Sequence, residues 1–83
     1  MEENELSFGE KLVGLNFNPG GDDKVKKAKE LFAEVANMLE EARVSNFKEG
    51  TYTSMHDLIY KNAVSEVLNA QMNVVKFLTF KAQ

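Results

Sequence analysis

The residues best suited to holding a small ligand lie together between Gly14 and Lys29. An aromatic residue, Phe17, stands in a loop of small and polar residues, and lysines follow at positions 24, 26, 27 and 29. An aromatic face can stack on a flat ring, and an ammonium group attracts negative charge. This combination suits a compact ligand that carries both flat rings and negative charge.

Side chains in the arrangements that catalysis requires are nearly absent from the sequence. His56 is the one histidine, and beside Asp57 it is expected to be a solvated residue of a first helical turn. No His, Asp and Glu cluster has metal-ligand spacing, and no serine or threonine has an evident base partner. Gly20 and Gly21 lack the rest of a dinucleotide or P-loop fingerprint and indicate a turn into a helix. We therefore expect a protein that is not an enzyme and that uses no metal or cofactor.

Composition narrows the class of partner. The chain has 83 residues, which predicts one domain over residues 1–83, and its 43% hydrophobic and 28% charged residues are ordinary for a soluble protein. The absence of cysteine fits a reducing cytoplasm. A net charge of −3 disfavours binding to DNA or RNA polymers. No apolar run approaches the ~18–20 residues of a membrane span, and the acidic start is opposite in sign to a secretory signal, so no membrane association is expected.

The spacing of apolar residues predicts an all-α fold built on an antiparallel helical hairpin. Asp22 is expected to cap the first long helix, and Ser54, with Asp57 at the third helical position, to cap the second. Gly9 counts against a short N-terminal helix by about 1 kcal/mol relative to alanine. In chain order the predicted segments are a helix over about 3–12, a loop at 13–21, a helix over about 22–44, a loop at 45–53 and a helix over about 54–80.

The first long helix is predicted to be amphipathic, because its apolar residues recur at three- and four-residue steps. The expected apolar stripe consists of Val25, Ala28, Leu31, Phe32, Val35, Met38, Leu39 and Ala42, and the opposite side carries Lys27, Glu30, Glu34, Asn37 and Glu41. Lys29 flanks the stripe, so its stem can pack while its ammonium points into a groove. Lys24 and Lys27 are expected to be solvated, and Lys26 is kept as a candidate ligand contact.

The second long helix has more apolar surface than a simple hairpin can cover. On a helical wheel its apolar residues fill about half the circumference, whereas a helix that faces one partner needs a stripe of ~100°. We therefore expect the hairpin to pack against its own copies as a homo-oligomeric helical bundle. A polar stripe on the same helix, Asn62, Asn69 and Asn73, either faces solvent or lines a channel between subunits.

Phe17 has two interpretations from the residues alone. Its ring either covers the hairpin core as a lid or offers a stacking face to a base.

Two motifs follow one another along the chain. The first is Gly14-Leu15-x-Phe17-Asn18-Pro19-x-Gly21, a short acidic step, and Val25-x-x-x-Lys29-x-Leu31-x-Ala33. The second is Ala63-Val64-Ser65-x-Val67-x-x-Ala70-x-Met72-x-Val74-Val75-Lys76. In this order and spacing they resemble the opening and closing motifs of the phage anti-CBASS cyclic-nucleotide sponge family, and together they cover most of residues 13–78.

The resemblance implies a compact helical protein that assembles as a homohexamer in the host cytoplasm. It would bind the cyclic di- and trinucleotides, such as cGAMP, that bacterial CBASS systems make, and would sequester them without cleavage so that the CBASS effectors stay inactive. By position, Phe17 matches the aromatic residue that stacks on a base, and Lys29 matches the lysine beside a phosphate and base. Asn16, Asn18 and the backbone around Gly14 would supply hydrogen bonds.

Other positions of the resemblance bear on a second site and on the assembly. Ser65 matches a hydroxyl position and is a candidate for a separate trinucleotide site. Some members have tyrosine where this chain has Phe17, so a hydroxyl is lost while the stacking face remains. The residue after Met72 is often aromatic in the family and is Asn73 here. The alternatives to a sponge are a helical oligomerisation or adaptor module that binds a partner protein, and hydrolysis of the nucleotide.

Overall fold

The computed structural model describes residues 5–17 and 20–81, which form three α-helices. They are α1 (Phe8–Val13), α2 (Asp23–Glu49) and α3 (Ser54–Thr79). None of the described residues forms a strand, so the predicted all-α class is confirmed. The two long helices run antiparallel, since Tyr60 near the start of α3 donates a hydrogen bond to Glu40 in the second half of α2. No helix within the described ranges is both long enough and apolar enough to cross a membrane.

Helix α1 is shorter than the predicted 3–12 and begins at Phe8. Ser7 stops it from starting earlier by forming a capping box. The Glu10 amide donates to Ser7 Oγ at 3.1 Å, and the Ser7 amide donates to Glu10 Oε1 at 2.9 Å. Residues 5–7 are not helical, and positions 3 and 4 of the predicted helix lie outside the described residues. The helix ends at Gly14, whose φ of 64° is the left-handed conformation that favours glycine.

Gly9, expected to weaken α1, is instead what lets α1 approach α2. A Cβ at this position would lie 2.1 Å from the carbonyl oxygen of Ala33, so only glycine fits this contact. Asn37 holds the same contact, because its Oδ1 accepts from the Gly9 amide at 2.7 Å and its Nδ2 donates to Ser7 Oγ at 3.1 Å. The sequence placed Asn37 on the solvent side of α2. That placement is wrong, because the Asn37 side chain forms hydrogen bonds with α1 and with the residue that caps it.

Helix α2 begins as predicted and ends later. Asp22 Oδ1 accepts from the amides of Lys24 and Val25 at 2.7 and 3.3 Å, which confirms the predicted cap. The predicted end at residue 44 is wrong, because the helix continues to Glu49. The left-handed Gly50, with a φ of 73°, is the residue that ends it.

The loop between the long helices is therefore only four residues, 50–53, and α3 is capped one residue earlier than predicted. Thr53 Oγ1 accepts from the His56 amide at 3.1 Å, and the Thr53 amide donates to His56 Nδ1 at 3.2 Å. The imidazole takes the place that a carboxylate usually has in a capping box, so Ser54 is the first residue of the helix rather than its cap. The acidic Asp57 pairs instead with Lys61 at 2.8 Å.

The hairpin buries little of its apolar surface. On α2 the buried residues are small or polar and lie on one line: Val25, Lys29, Ala33 and Ala36. Three large residues of the predicted stripe, Leu31, Val35 and Met38, are exposed. The described residues extend over 52 × 34 × 13 Å, which is about one helix thick. A single layer of helices leaves both of its faces open.

Candidate functional site

The turn after α1 presents Phe17 to solvent. The amide of Leu15 donates to the Glu10 carbonyl at 3.0 Å, and the amide of Phe17 donates to the Gly14 carbonyl at 2.8 Å. These bonds close the chain tightly behind the helix, and Phe17 is 73% exposed at its tip. The interpretation of Phe17 as a lid on the core is therefore wrong, since a ring so exposed covers little of the core.

Lys29 holds this turn in place through hydrogen bonds to its carbonyl groups. Its side chain is only 5% exposed, and its Nζ donates to the carbonyl oxygens of Gly14 at 3.0 Å and Phe17 at 2.5 Å. A buried ammonium needs such partners, because burial without them is costly. The same Nζ lies 5.6 Å from the centre of the Phe17 ring, within the range of a cation–π contact. These contacts bring together Phe17 and Lys29, the two residues that the sequence predicted as ligand contacts.

The charge of Lys29 is not neutralised by a neighbour. No carboxylate among residues 5–17 and 20–81 forms an ion pair with it, and its two hydrogen-bond acceptors are neutral carbonyls. A lysine ammonium has three donors, so one N–H has no acceptor within the described residues. The site combines a free aromatic face, a full positive charge and a spare donor.

Two grooves meet at the Phe17–Lys29 pair. The terminal groove, of about 410 Å³, runs between the start of α2 and the end of α3, and its wall includes Asp22, Val25 and Phe80. The central groove, of about 470 Å³, runs between α1 and α3, and its wall includes Gly14, Gln71 and Met72. Phe17, Lys29 and Val75 border both grooves. A ligand that contacts Phe17 therefore has space in either groove.

The other predicted site residues are distributed unevenly around this pair. Gly14 supplies a carbonyl to Lys29, and Asn16 is exposed in the same turn, in a shallower groove that Phe17 also borders. Asn18 lies outside the described residues. Lys26 and Ser65 are exposed, and neither borders the terminal or the central groove.

Sequence reasoning did not identify Gln71 as a site residue. It is the one buried residue of α3, at 5% exposure, and it lies in the wall of the central groove. A signal was present, because an amide three residues after Leu68 and four before Val75 falls on the apolar side of the helix. That position is unusual for a solvated polar side chain.

The opposite end of the hairpin also carries charges and aromatic rings, but they satisfy one another. Arg43 donates from Nε and Nη2 to both carboxylate oxygens of Glu40, at 2.9 and 2.7 Å, and the Tyr60 hydroxyl donates to Glu40 at 2.8 Å. The hydrogen bond from Arg43 holds the pKa of Glu40 below its ordinary value, whereas burial followed by the bond to Glu40 raises the pKa of Tyr60. This arrangement strengthens the fold and pairs the charge of Arg43 with a carboxylate.

Compared with protein-family models, curated proteins and solved structures, the chain has no match. The resemblance to the sponge family therefore stays a prediction from two motifs. The described residues also contain no group of three or more His, Cys, Asp or Glu side chains that could hold a metal ion. The geometry around Phe17 and Lys29 is the independent basis for a functional argument.

Proposed function

We propose that this protein binds cyclic di- and trinucleotide second messengers and sequesters them without cleaving them. In this role it is a phage anti-defence protein that acts in the host cytoplasm and keeps CBASS effectors inactive. One observation carries the proposal: an exposed Phe17 ring lies 5.6 Å from the Nζ of Lys29, whose charge has no carboxylate partner among the described residues. A ring and a free cation at that distance match a base and its phosphodiester.

The magnitudes of these interactions are sufficient for tight binding. A base stacked on an aromatic side chain contributes ~1–3 kcal/mol, and a hydrogen bond to a charged group contributes ~1.5–3 kcal/mol. Two stacked bases and two paired phosphates therefore contribute about 5–12 kcal/mol, and the upper end of that range corresponds to nanomolar affinity when the site is formed in advance. The hydrogen bonds from Lys29 to the carbonyls of Gly14 and Phe17 support such preorganisation.

The same arithmetic requires more than one copy of the chain. Each chain contributes one Phe17 and one Lys29, so a ligand with two bases and two phosphates needs a pair of sites. We propose a homo-oligomer, and the family resemblance favours a hexamer. Its support is the large apolar residues that the single chain leaves exposed on both long helices: Leu31, Val35, Met38, Met55, Leu58, Ile59, Met72 and Phe77. Exposed apolar surface of this extent is typical of an interface.

Sequestration without cleavage is supported by where the potential catalytic groups lie. The one histidine, His56, is engaged with Thr53 in the cap of α3 and borders neither groove at the Phe17–Lys29 pair. The proposed ligand contacts are a ring, an ammonium, amides and backbone groups. These groups bind and orient a phosphodiester but do not activate water.

Calorimetry with a panel of cyclic nucleotides tests the proposal. Purified full-length protein is titrated with 3′,3′-cGAMP, cyclic di-AMP, cyclic di-GMP and cyclic tri-AMP, and the bound ligand is recovered after denaturation. We expect saturable heat with at least one ligand and recovery of that ligand intact. Absence of heat and of any thermal shift across the panel overturns the proposal, and recovery of linear nucleotide replaces sequestration by hydrolysis.

An adaptor module that binds a partner protein is the second candidate, and the exposed apolar face favours it. The two functions differ in the state of the purified protein. A sponge with shared sites is expected to be a homo-oligomer by light scattering at micromolar concentration, with its apolar face already covered. A protein that is monomeric and binds none of the cyclic nucleotides would favour the adaptor function.

A further inference from the structure

Gln71 is a buried amide without a hydrogen bond. Its side chain is 5% exposed, and no hydrogen bond joins it to another residue within the described ranges. Neither amide atom is sealed from solvent, since no buried side-chain nitrogen or oxygen among the described residues lacks a partner. Buried amides are nearly always paired, so the open space that Gln71 borders calls for an explanation.

That open space is the central groove. Gln71 lies in its wall together with Phe17 and Lys29, and Met72 and Val75 make the neighbouring surface apolar. A ligand whose base stacks on Phe17 in this groove would therefore meet an amide at its edge.

We infer that Gln71 reads the edge of the base in the central groove and favours adenine over guanine; this inference rests on the proposed function. A glutamine amide presents one acceptor oxygen and one donor nitrogen side by side. Adenine presents the complementary pair, the N7 acceptor and the N6 amino donor, whereas the same edge of guanine presents two acceptors, N7 and O6. One amide can pair with both adenine groups but with only one guanine group.

The test compares two ligands and three proteins. Affinities for cyclic di-AMP and cyclic di-GMP are measured by calorimetry for the parent, for Gln71→Met and for Asn69→Leu. Gln71→Met removes the amide and keeps the length of the side chain, and Asn69→Leu removes an exposed amide from the same helix as a control. We expect the parent and the control to prefer cyclic di-AMP by about 5- to 150-fold, and Gln71→Met to bring the ratio close to one.

A second variant reverses the chemistry and covers the case in which Gln71→Met does not fold. Gln71→Lys keeps an unbranched side chain but presents only donors, which match the N7 and O6 acceptors on the same edge of guanine. Its preference is expected to move toward cyclic di-GMP. A purely structural role for Gln71 would change both affinities by the same factor.

The outcomes separate this inference from the proposed function. If the parent binds both dinucleotides equally, or if the Gln71 variants leave the ratio unchanged, the base-reading role is overturned while sequestration stands. If the parent binds no cyclic nucleotide of the panel, both are overturned.

Discussion

The two ends of the hairpin hold positive charge in opposite ways. At the loop end, Arg43 is paired in bidentate fashion with Glu40, which the Tyr60 hydroxyl also contacts. At the other end, Lys29 is more deeply buried but contacts only the carbonyls of Gly14 and Phe17. An arginine that shares its charge with a carboxylate has little attraction left for an anion. A lysine held by carbonyls keeps its whole charge.

The aromatic residues at the two ends differ in the same sense. At the loop end, Phe47 stacks on Tyr52 with 4.3 Å between ring centres, and the Arg43 guanidinium lies 5.5 Å above it. Phe17 stacks on no aromatic ring of the described residues and has Lys29 beside it. At the loop end, Arg43 and Phe47 are engaged by neighbouring side chains, whereas Phe17 and Lys29 form no ring stacking and no ion pair within the described residues. This difference, rather than residue type, identifies the site.

Replacing the two cations by methionine has the largest expected effect on this comparison. We expect Lys29→Met to weaken binding of a cyclic dinucleotide by about 100-fold, because a ligand with two phosphates loses about 1.4 kcal/mol or more at each. Arg43→Met should leave the affinity unchanged and lower the free energy of unfolding slightly, because its bidentate pair with Glu40 is lost. Calorimetry measures the first quantity and urea unfolding the second.

The salt dependence of binding shows whether Lys29 acts on the ligand or only on the turn. An interaction with phosphate is screened by added salt, so the parent should lose affinity between low and high ionic strength more steeply than Lys29→Met. Equal salt dependence in both proteins would mean that Lys29 only positions Phe17. Weakened binding in Arg43→Met would mean that the site lies elsewhere.

Truncating the two phenylalanines sharpens the comparison further. Phe17→Ala should reduce affinity by about 30-fold, since stacking on a base contributes ~1–3 kcal/mol, and should leave stability almost unchanged because the ring is exposed. Phe47→Ala should do the reverse, because it loses the stacking on Tyr52 without touching the site. Light scattering confirms that each variant keeps the mass of the parent assembly. A Phe17→Ala protein that binds as tightly as the parent would contradict the stacking role.

The local signals in the sequence were sufficient for the number and order of the helices and insufficient for some of their ends. Asp22 was identified as a cap because its partners are its own neighbours. The end of α2 was placed too early, because the polar residues before Gly50 resemble a loop until the left-handed stop is located. The cap by Thr53 was missed because histidine rarely completes a capping box.

The proximity of Phe17 and Lys29 was predictable from the sequence, and their contacts were not. Phe17 and Lys29 are close in sequence and flank a helix start, so their proximity could be expected. Three features require the packed chain: the carbonyl partners of Lys29, the glycine contact between α1 and α2, and the burial of Gln71. Periodicity alone does not reveal them, because each depends on where α1 lies against the hairpin.

The contact of Gly9 with Ala33 provides a third test of the difference between the two ends of the hairpin. In Gly9→Ala the added Cβ would lie 2.1 Å from the Ala33 carbonyl oxygen, so α1 must move, and we expect a loss of stability of about 2 kcal/mol. The turn that follows α1 moves with it, so affinity should fall as well. Gly20→Ala is the matched control, since nothing lies within 4 Å of its added Cβ. Unfolding by urea that is equal for both variants would contradict the close approach of α1.

The smallest expected effect concerns Glu40 at the loop end and depends on pH. Arg43 lowers the pKa of Glu40 below its ordinary 4.5 in the folded chain, so the pair stabilises the fold above that value and the contribution disappears as the pH falls through the lowered pKa. Glu40→Gln should therefore unfold about 1 kcal/mol more easily than the parent at pH 7. As the pH falls through the lowered pKa of Glu40, the two proteins should converge, because the parent carboxylate then gains its proton. A difference in unfolding free energy that persists unchanged in acid would show that Glu40 acts through packing rather than charge. The affinity for a cyclic dinucleotide at pH 7 should be the same in both proteins, because the loop end contributes nothing to the proposed site.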